Sequence, residues 1–458
     1  MKLNLNRGEF LKNVAIGSVA IGMTSCQLRE SLSNPKKTNV VILFIDDLGY
    51  GDLGCFGSKT NPTPYIDSLA TEGTRLTMNY ITNPPCSPSR CSLMMGMYAQ
   101  RFGKFGMARG LPLPKDKPTI AEFMRNAGYV TGHVGKWDIG SEEQGPEKRG
   151  FMEVAKYNGK KYLYTKANGD TVYRTVQDGD NMVEFIERNN DNPFFLYFSP
   201  FGIHTPHEDV PEEFFKRAGG SKYGGAIVAI DDAIGKLLSV LKKHQLEDNT
   251  LIILTGDNGP HKPGTASPYT GGKITGLEKE GWVHTPGIAW WPGKIPAGKT
   301  FEGLACTLDY YATAAAVAGM TPPSHCDGKN LIPFLQGTSS GDVHEYLYWY
   351  NADPKDGGRH LSAVRWKDWR LVFKRKSKME GTKKMKEKVK SWALYDLRQD
   401  PAESNDLCKK HPVITKHLIK KHKDFVSGLP PLSSIPEYSR RMVRPPEGTG
   451  WLISNGGK

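Results

Sequence analysis

Unbroken apolar runs, rather than alternating ones, mark the first two-thirds of the chain. Asn39 to Ile45 is one such run, and it predicts a strand buried on both faces, as in a parallel sheet. Pro193 to Ser199 and Thr250 to Thr255 predict two more, and Tyr129 to Gly135 a shorter fourth. Between them the period changes to that of a helix. Thr119 to Asn126 reads as helical, and Ile227, Ile230, Ile234, Leu237, Leu238 and Leu241 form one apolar stripe along a longer helix. Leu308 to Ala318 is a third. Alternating strands and helices predict a doubly wound, mostly parallel α/β sheet flanked by helices. Such sheets bind ligands beyond the carboxyl ends of their strands. Polar candidates follow all four strands: Asp46 and Asp47, Lys136, His204, and Asp257 with Asn258.

The pattern changes after residue 340. Tyr346 to Tyr350, Ser362 to Trp366, Trp369 to Phe373 and Trp392 to Leu397 are short and aromatic, and predict a smaller antiparallel sheet. His411 to Phe425 predicts a closing helix. The chain thus divides into an α/β domain over 38–340, an α+β subdomain over 341–440 and a loose Gly- and Pro-rich tail over 441–458.

The N-terminal segment 1–26 has the pattern of an export signal. Lys2, Arg7 and Lys12 precede the apolar stretch Val14 to Met23, which is too short to span a bilayer and ends before Cys26. It resembles a bacterial lipoprotein signal, in which the cysteine carries the lipid. Arg7 to Lys12 also resembles a twin-arginine signal, with Gly8 in place of the second arginine. The expectation is export, to the periplasm or to the outer membrane and cell surface as a lipoprotein. Seven cysteines show no framework spacing, so the fold does not depend on disulfides, although one bridge stays open. The net charge of +13 favours a polyanionic partner. No nucleic-acid-binding module is present. Much of the excess charge lies in Lys374 to Lys390, which reads as a solvated loop or face.

Asp46, Asp47, Asp257 and Asn258 form an all-oxygen set suited to calcium or magnesium. Each pair taken alone is equally good turn sequence. Cys86-Ser87-Pro88-Ser89-Arg90 reads as a nucleophile opening a helix. Pro88 suits the first turn, the free amides and dipole there favour an anion, and Arg90 adds a planar cationic fork.

This stretch resembles the C-x-P-S-R signature of the formylglycine-dependent sulfatases of the alkaline phosphatase-like superfamily. Gly135-Lys136-Trp137-Asp138-Ile139-Gly140 resembles their second signature, G-K-W-H-x-G. Leu394 to Leu397, with Asp400, Pro401 and Glu403, resembles their C-terminal subdomain. The resemblance implies a sulfuric ester hydrolase acting on a sulfated polysaccharide or its oligosaccharides. It implies that a maturing enzyme oxidises Cys86 to formylglycine, whose hydrate is the nucleophile, and that Asp46, Asp47, Asp257, Asn258 and the modified Cys86 hold the metal, usually calcium. Arg90 and Lys136 would hold the hydrate and sulfate. His204 would protonate the leaving alkoxide, with Lys273 close by and His207 as the competing histidine. Two positions depart from the pattern. Asp138 stands where histidine is usual; it could act as a carboxylate base, orient Lys136, or leave the task to His133. His284 stands where arginine is common, after a longer spacing from Lys273. Specificity is expected in loops such as Phe102 to Pro114, Tyr157 to Tyr173 and Asn351 to His360, with Arg109, Arg359 and His360 as candidates to touch sugar. Two alternatives come with the resemblance: phosphonate or phosphate ester hydrolysis, and a non-catalytic glycan-binding relative.

Overall fold

The computed structural model describes residues 37–431, apart from 107–110, 141–143, 157–161, 274, 276, 278, 354–358 and 381–382. The export signal with Cys26, the tail, and Arg109 lie outside the described residues, as do the side chains of Arg359 and His360. The central sheet has eight strands: β1 (Asn39–Ile45), β2 (Thr74–Leu76), β3 (Val130–Gly135), β4 (Glu153–Val154), β5 (Phe194–Ser199), β6 (Thr250–Gly256), β7 (Gly287–Trp290) and β8 (Lys299–Phe301). Their order is β8-β2-β7-β6-β1-β5-β3-β4. β6, β1, β5, β3 and β4 are mutually parallel. β7 runs antiparallel to both of its neighbours. The fold is therefore mostly parallel, as the uninterrupted apolar runs predict. The single reversed strand is four residues long and carries no periodicity that would announce its direction.

Helices cover both faces. The strand β1 sends Val40, Ile42 and Phe44 to one side, where they pack with residues of α2 (Cys86–Met95), α3 (Ile120–Asn126) and α6 (Asp309–Val317). It sends Val41, Leu43 and Ile45 to the other, against α1 (Pro64–Glu72), α4 (Arg174–Asn189) and α5 (Lys222–Lys243). A central strand with two buried faces cannot alternate polar with apolar residues, which is why β1 reads as one unbroken run. Asp231 on α5 accepts the Tyr65 and Ile66 amides at 3.3 and 2.8 Å, capping α1 across the interface between the two helices.

The second sheet is a meander of β9 (Leu347–Asp353), β10 (Arg359–Trp366), β11 (Trp369–Glu380) and β12 (Lys383–Asp396), followed by α7 (Pro412–Ser427). The lysine-rich run 374–390 is not a loop. Its described residues form the outer parts of β11 and β12, paired from Lys374 opposite Ser391 to Glu380 opposite Lys383, with a register shift between Ser377 and Met379. Cross-strand hydrogen bonding continues past the aromatic positions, a property of the backbone that charge density does not report.

Candidate active site

β6, β1, β5 and β3 are adjacent and parallel, so their carboxyl ends lie side by side. Neighbouring strands are about 4.8 Å apart, which brings groups from distant parts of the sequence into one site. Asp46 and Asp47 follow β1, Asp257 and Asn258 follow β6, Lys136 follows β3, and Ser199 ends β5 with His204 after a short turn. Asp47 adopts φ +61°, so the chain leaves its extended path and two consecutive carboxylates serve one centre. Gly135, at φ +108°, lets the end of β3 close on Ser199. A Cβ there would lie 2.0 Å from the Ser199 carbonyl oxygen, which accepts the Lys136 amide.

Asp46, Asp47, Cys86 and Asp257 place ligand atoms within 4.8 Å of one another, and all four are buried. Cys86 Sγ lies 3.3 Å from Asp46 Oδ1, from Asn258 Oδ1 and from Lys273 Nζ. Lys273 Nζ donates to both Asp47 oxygens, at 2.7 and 2.9 Å. Lys136 Nζ donates to Asp46 Oδ2 at 2.7 Å and lies 3.7 Å from Asp138 Oδ2. Arg90 is fully buried. Its Nε and Nη2 grip Asp257 Oδ2 at 3.0 and 2.6 Å, while Nη1 donates to Lys136 O, Tyr197 Oη and Ser199 Oγ.

Asp46 sits well below the ordinary carboxylate range, because Lys136 and then Arg90 outweigh the opposing effect of burial. Asp257 is pushed up to about 7 by burial and by the neighbouring Asp46, against the pull of Arg90. Burial and the Asp257 and Asp46 carboxylates push the Cys86 thiol well above its ordinary range. Three carboxylates and an amide oxygen, each carboxylate also facing one of the cations Arg90, Lys136 and Lys273, form a hard-donor set. That fits calcium or magnesium rather than a thiophilic metal.

His204 Nδ1 lies 2.6 Å from Thr205 O, so this nitrogen carries a proton, and Nε2 is 3.9 Å from Asp47 Oδ2. Tyr162 Oη reaches the same turn. Tyr162 falls in the 157–173 loop expected to carry specificity, but no sequence signal singled it out, nor Ser199 and Tyr197 beneath Arg90.

The sulfatase family model matches residues 38–320, and the model for the C-terminal part of N-sulphoglucosamine sulphohydrolase matches 277–426. The chain belongs to the sulfatase family. Its fold and family place it among the formylglycine-dependent sulfatases of the alkaline phosphatase-like superfamily. This sulfatase is 32% identical over 372 residues to dog N-acetylgalactosamine-6-sulfatase, covering 70% of this chain and 69% of that one. It is 30% identical over 443 residues to human arylsulfatase A, covering 83% and 85%. The crystal structure of Ps i-CgsB superposes with a TM-score of 0.75 at 27% identity, over 86% of this chain and 94% of that one. PsFucS1 sulfatase from Pseudoalteromonas sp. does so with a TM-score of 0.71 at 25% identity, over 91% and 94%.

The sulfatase site thus brings together Asp46, Asp47, Cys86, Arg90, Lys136, Asp138, His204, Asp257, Asn258 and Lys273. It does not include His207, His133 or His284. His207 Nε2 is bonded to Ile203 O at 2.7 Å and its ring meets Tyr223. His133 packs among Trp137, Phe151 and Tyr197, and burial pushes it down to about 3. His284 stacks on Tyr80 at 4.3 Å and bonds Thr77 O at 2.6 Å.

Beneath Lys273 the loop is held by a buried charge cluster. Arg370 of β11 pairs with Glu280 and Glu403 and donates to Leu277 O at 2.6 Å. Glu280 is held down at about 2, against its burial, by His284, Arg370 and Arg365. The second sheet thereby fixes a loop of the first.

All six cysteines among the described residues are unpaired. Cys306, Asp309 and His344 form a separate buried group. Both Asp309 oxygens are already engaged, by the Cys306 and Lys329 amides and by His344 Nε2.

Proposed function

We propose that this sulfatase removes sulfate from a sulfated carbohydrate, using a divalent cation and an aldehyde made from Cys86. The observation that supports this most directly is the convergence of Asp46, Asp47, Asp257 and Asn258 on Cys86, flanked by Lys136, Lys273 and Arg90. Asp46, Asp47, Asp257 and Asn258 would hold calcium or magnesium, which when bound supplies Lewis-acid polarisation and charge neutralisation. The hydrated formylglycine at position 86, made by a maturing enzyme, would supply the attacking oxygen.

The remaining chemistry falls to side chains in place. Lys273, 3.3 Å from Cys86 Sγ, and Lys136, bonded to the adjoining Asp46, present cations to the sulfate oxygens as charge shifts during S–O cleavage. Arg90 acts one layer below. It fixes Asp257 and ties β3 and β5 together through Lys136 O and Ser199 Oγ. His204 holds Nδ1–H against Thr205 O, so a proton on Nε2 can pass to the leaving ester oxygen as its bond to sulfur breaks. Asp138, paired with Lys136, orients that ammonium group.

The relatives support the carbohydrate class. One is named for N-acetylgalactosamine 6-sulfate, and Ps i-CgsB is also known in complex with k-i-k-neocarrahexaose. The net charge of +13 suits a polyanionic substrate. The N-terminal segment supports export to the periplasm or cell surface, with a lipid on Cys26 as anchor. The phosphonate alternative has weaker support. The phosphonate monoester hydrolase of Agrobacterium radiobacter shares 19% identity at a TM-score of 0.67, a likeness of fold alone.

The test is release of inorganic sulfate from N-acetylgalactosamine 6-sulfate, carrageenan oligosaccharides and host glycosaminoglycans. The protein should have its Cys86 aldehyde confirmed by peptide mass, with Cys86→Ala as control. Release that Cys86→Ala abolishes supports the reading. Turnover of phenyl phosphonate esters without sulfate release overturns it.

A further inference from the structure

We propose that Tyr162 is a positioning residue for the acid step. Its hydroxyl locks the His204–Thr205 turn so that Nε2 of the imidazole stays aimed at the leaving oxygen. The inference rests on the reading of His204 as general acid.

Tyr162 is 42 positions from His204 in sequence and almost wholly buried. Its hydroxyl lies 2.7 Å from His204 O, 2.7 Å from Thr205 O and 3.3 Å from His204 Nδ1. The Thr205 carbonyl also accepts Nδ1–H at 2.6 Å. One carbonyl oxygen, with two lone pairs, therefore joins the phenol to the imidazole. An imidazole on a loop rotates freely about its last side-chain bond unless one nitrogen is fixed. Here the atom that fixes it is itself held by Tyr162.

The tyrosine is anchored independently of this turn. Its carbonyl accepts the Arg174 amide at 2.8 Å, where the short ribbon Leu163–Thr165 and Thr171–Tyr173 meets α4. Burial, then the Asp46 carboxylate, push the phenol well above its ordinary range, so it remains a donor throughout the working pH range. Tyr162 is thus the fixed end of a relay whose other end is the catalytic nitrogen.

Leaving-group dependence provides the test. A general acid matters for a sugar alkoxide and little for a nitrophenolate. Misplacing it should therefore cost activity selectively, by about 10- to 100-fold on the poor leaving group. Tyr162→Phe and His204→Gln are assayed against aryl sulfates of graded leaving-group pKa and against one sugar sulfate. The expected result is a steeper dependence of kcat/KM on leaving-group pKa in both variants. For Tyr162→Phe, 4-nitrophenyl sulfate turnover should change by no more than about threefold, and KM should stay unchanged. The ratio of two substrates on one preparation does not depend on how much of the variant is folded.

Equal losses on both substrates with Tyr162→Phe, alongside a steepened slope with His204→Gln, would overturn the role of Tyr162 alone. An unchanged slope with His204→Gln would overturn the general-acid reading and this proposal together. A measurement needing no Tyr162 variant uses the 15N-histidine-labelled protein, in which His204 Nδ1–H should exchange slowly. Its assignment is made by its loss in His204→Gln. Rapid exchange of that proton in the unmodified protein would also overturn the proposal.

Discussion

Removing Arg90 should cost this protein stability in a way that depends on pH. Arg90→Met keeps most of the side-chain volume but leaves Asp257 buried beside Asp46 with its bidentate partner gone. Breaking a buried pair by deleting one member costs about 3–5 kcal/mol, or about two to three and a half decades in the folding equilibrium. Arg90→Lys retains a charge near Asp257 but not the fork. Lys136 O, Tyr197 Oη and Ser199 Oγ then lose a common donor. The two hydroxyls can rotate toward other partners and the carbonyl cannot, so the expected cost is about 2–3 kcal/mol. The sign with pH follows from Asp257, which already sits at about 7 because of burial and Asp46. A carboxyl group whose folded pKa is raised loses stability as pH rises through that value, and removing Arg90 raises it further. Well below 7 Asp257 is protonated in both proteins, and the deficit of Arg90→Met falls to that of the lost hydrogen bonds to Lys136 O, Tyr197 Oη and Ser199 Oγ. It should grow between pH 6 and pH 8.5. The assay is urea unfolding of metal-stripped protein, followed by tryptophan fluorescence at both pH values. An Arg90→Met deficit that is the same at both, or Arg90→Lys within about 0.5 kcal/mol of the parent, would refute the reasoning.

Further expectations concern the metal, the histidine core and the loop clamp. Calcium at 100 times its dissociation constant should stabilise the stripped protein by about 2.7 kcal/mol. Its affinity, read by calorimetry, should fall about tenfold per pH unit below 7 as Asp257 gains a proton; a flat profile sinks this. His133 is held at about 3 by burial, so its contribution is present above its unfolded pKa and is lost as pH falls toward 3. His133→Phe should flatten the acid side of the melting profile between pH 4 and 6.5 and leave activity intact. A large activity loss without unfolding would return His133 to the chemistry. Arg370→Met strands Glu280 and Glu403 in the interior and frees Leu277 O. It should cost about 3–5 kcal/mol and expose the 270–284 loop to limited proteolysis before the rest of the chain. Proteolysis that begins elsewhere, with this loop protected, would refute the clamp.

The sequence by itself determined β1, β3, β5 and β6, four of the eight strands of the central sheet, and the residues at their ends. Val40 to Ile45 and Leu251 to Leu254 are apolar at every position because both of their faces are covered, and a turn that must follow a buried strand is where polar side chains collect. It determined that Cys86 opens a helix and that Arg90 belongs with it, because proline, helix start and guanidinium are local features. Only the tertiary structure decided which carboxylate Arg90 grips, since Asp257 lies 167 positions away and arrives through the pairing of β6 with β1. Only it separated the histidines. His204, His207, His133 and His284 are equivalent as letters, and their burial and partners divide them into one that faces the site and three that support the fold. The β11–β12 hairpin and the Arg370 clamp were hidden for a related reason. Cross-strand pairing and the neutralisation of buried charge are relations between distant segments, and a linear pattern of charge does not say which partners fold will bring together.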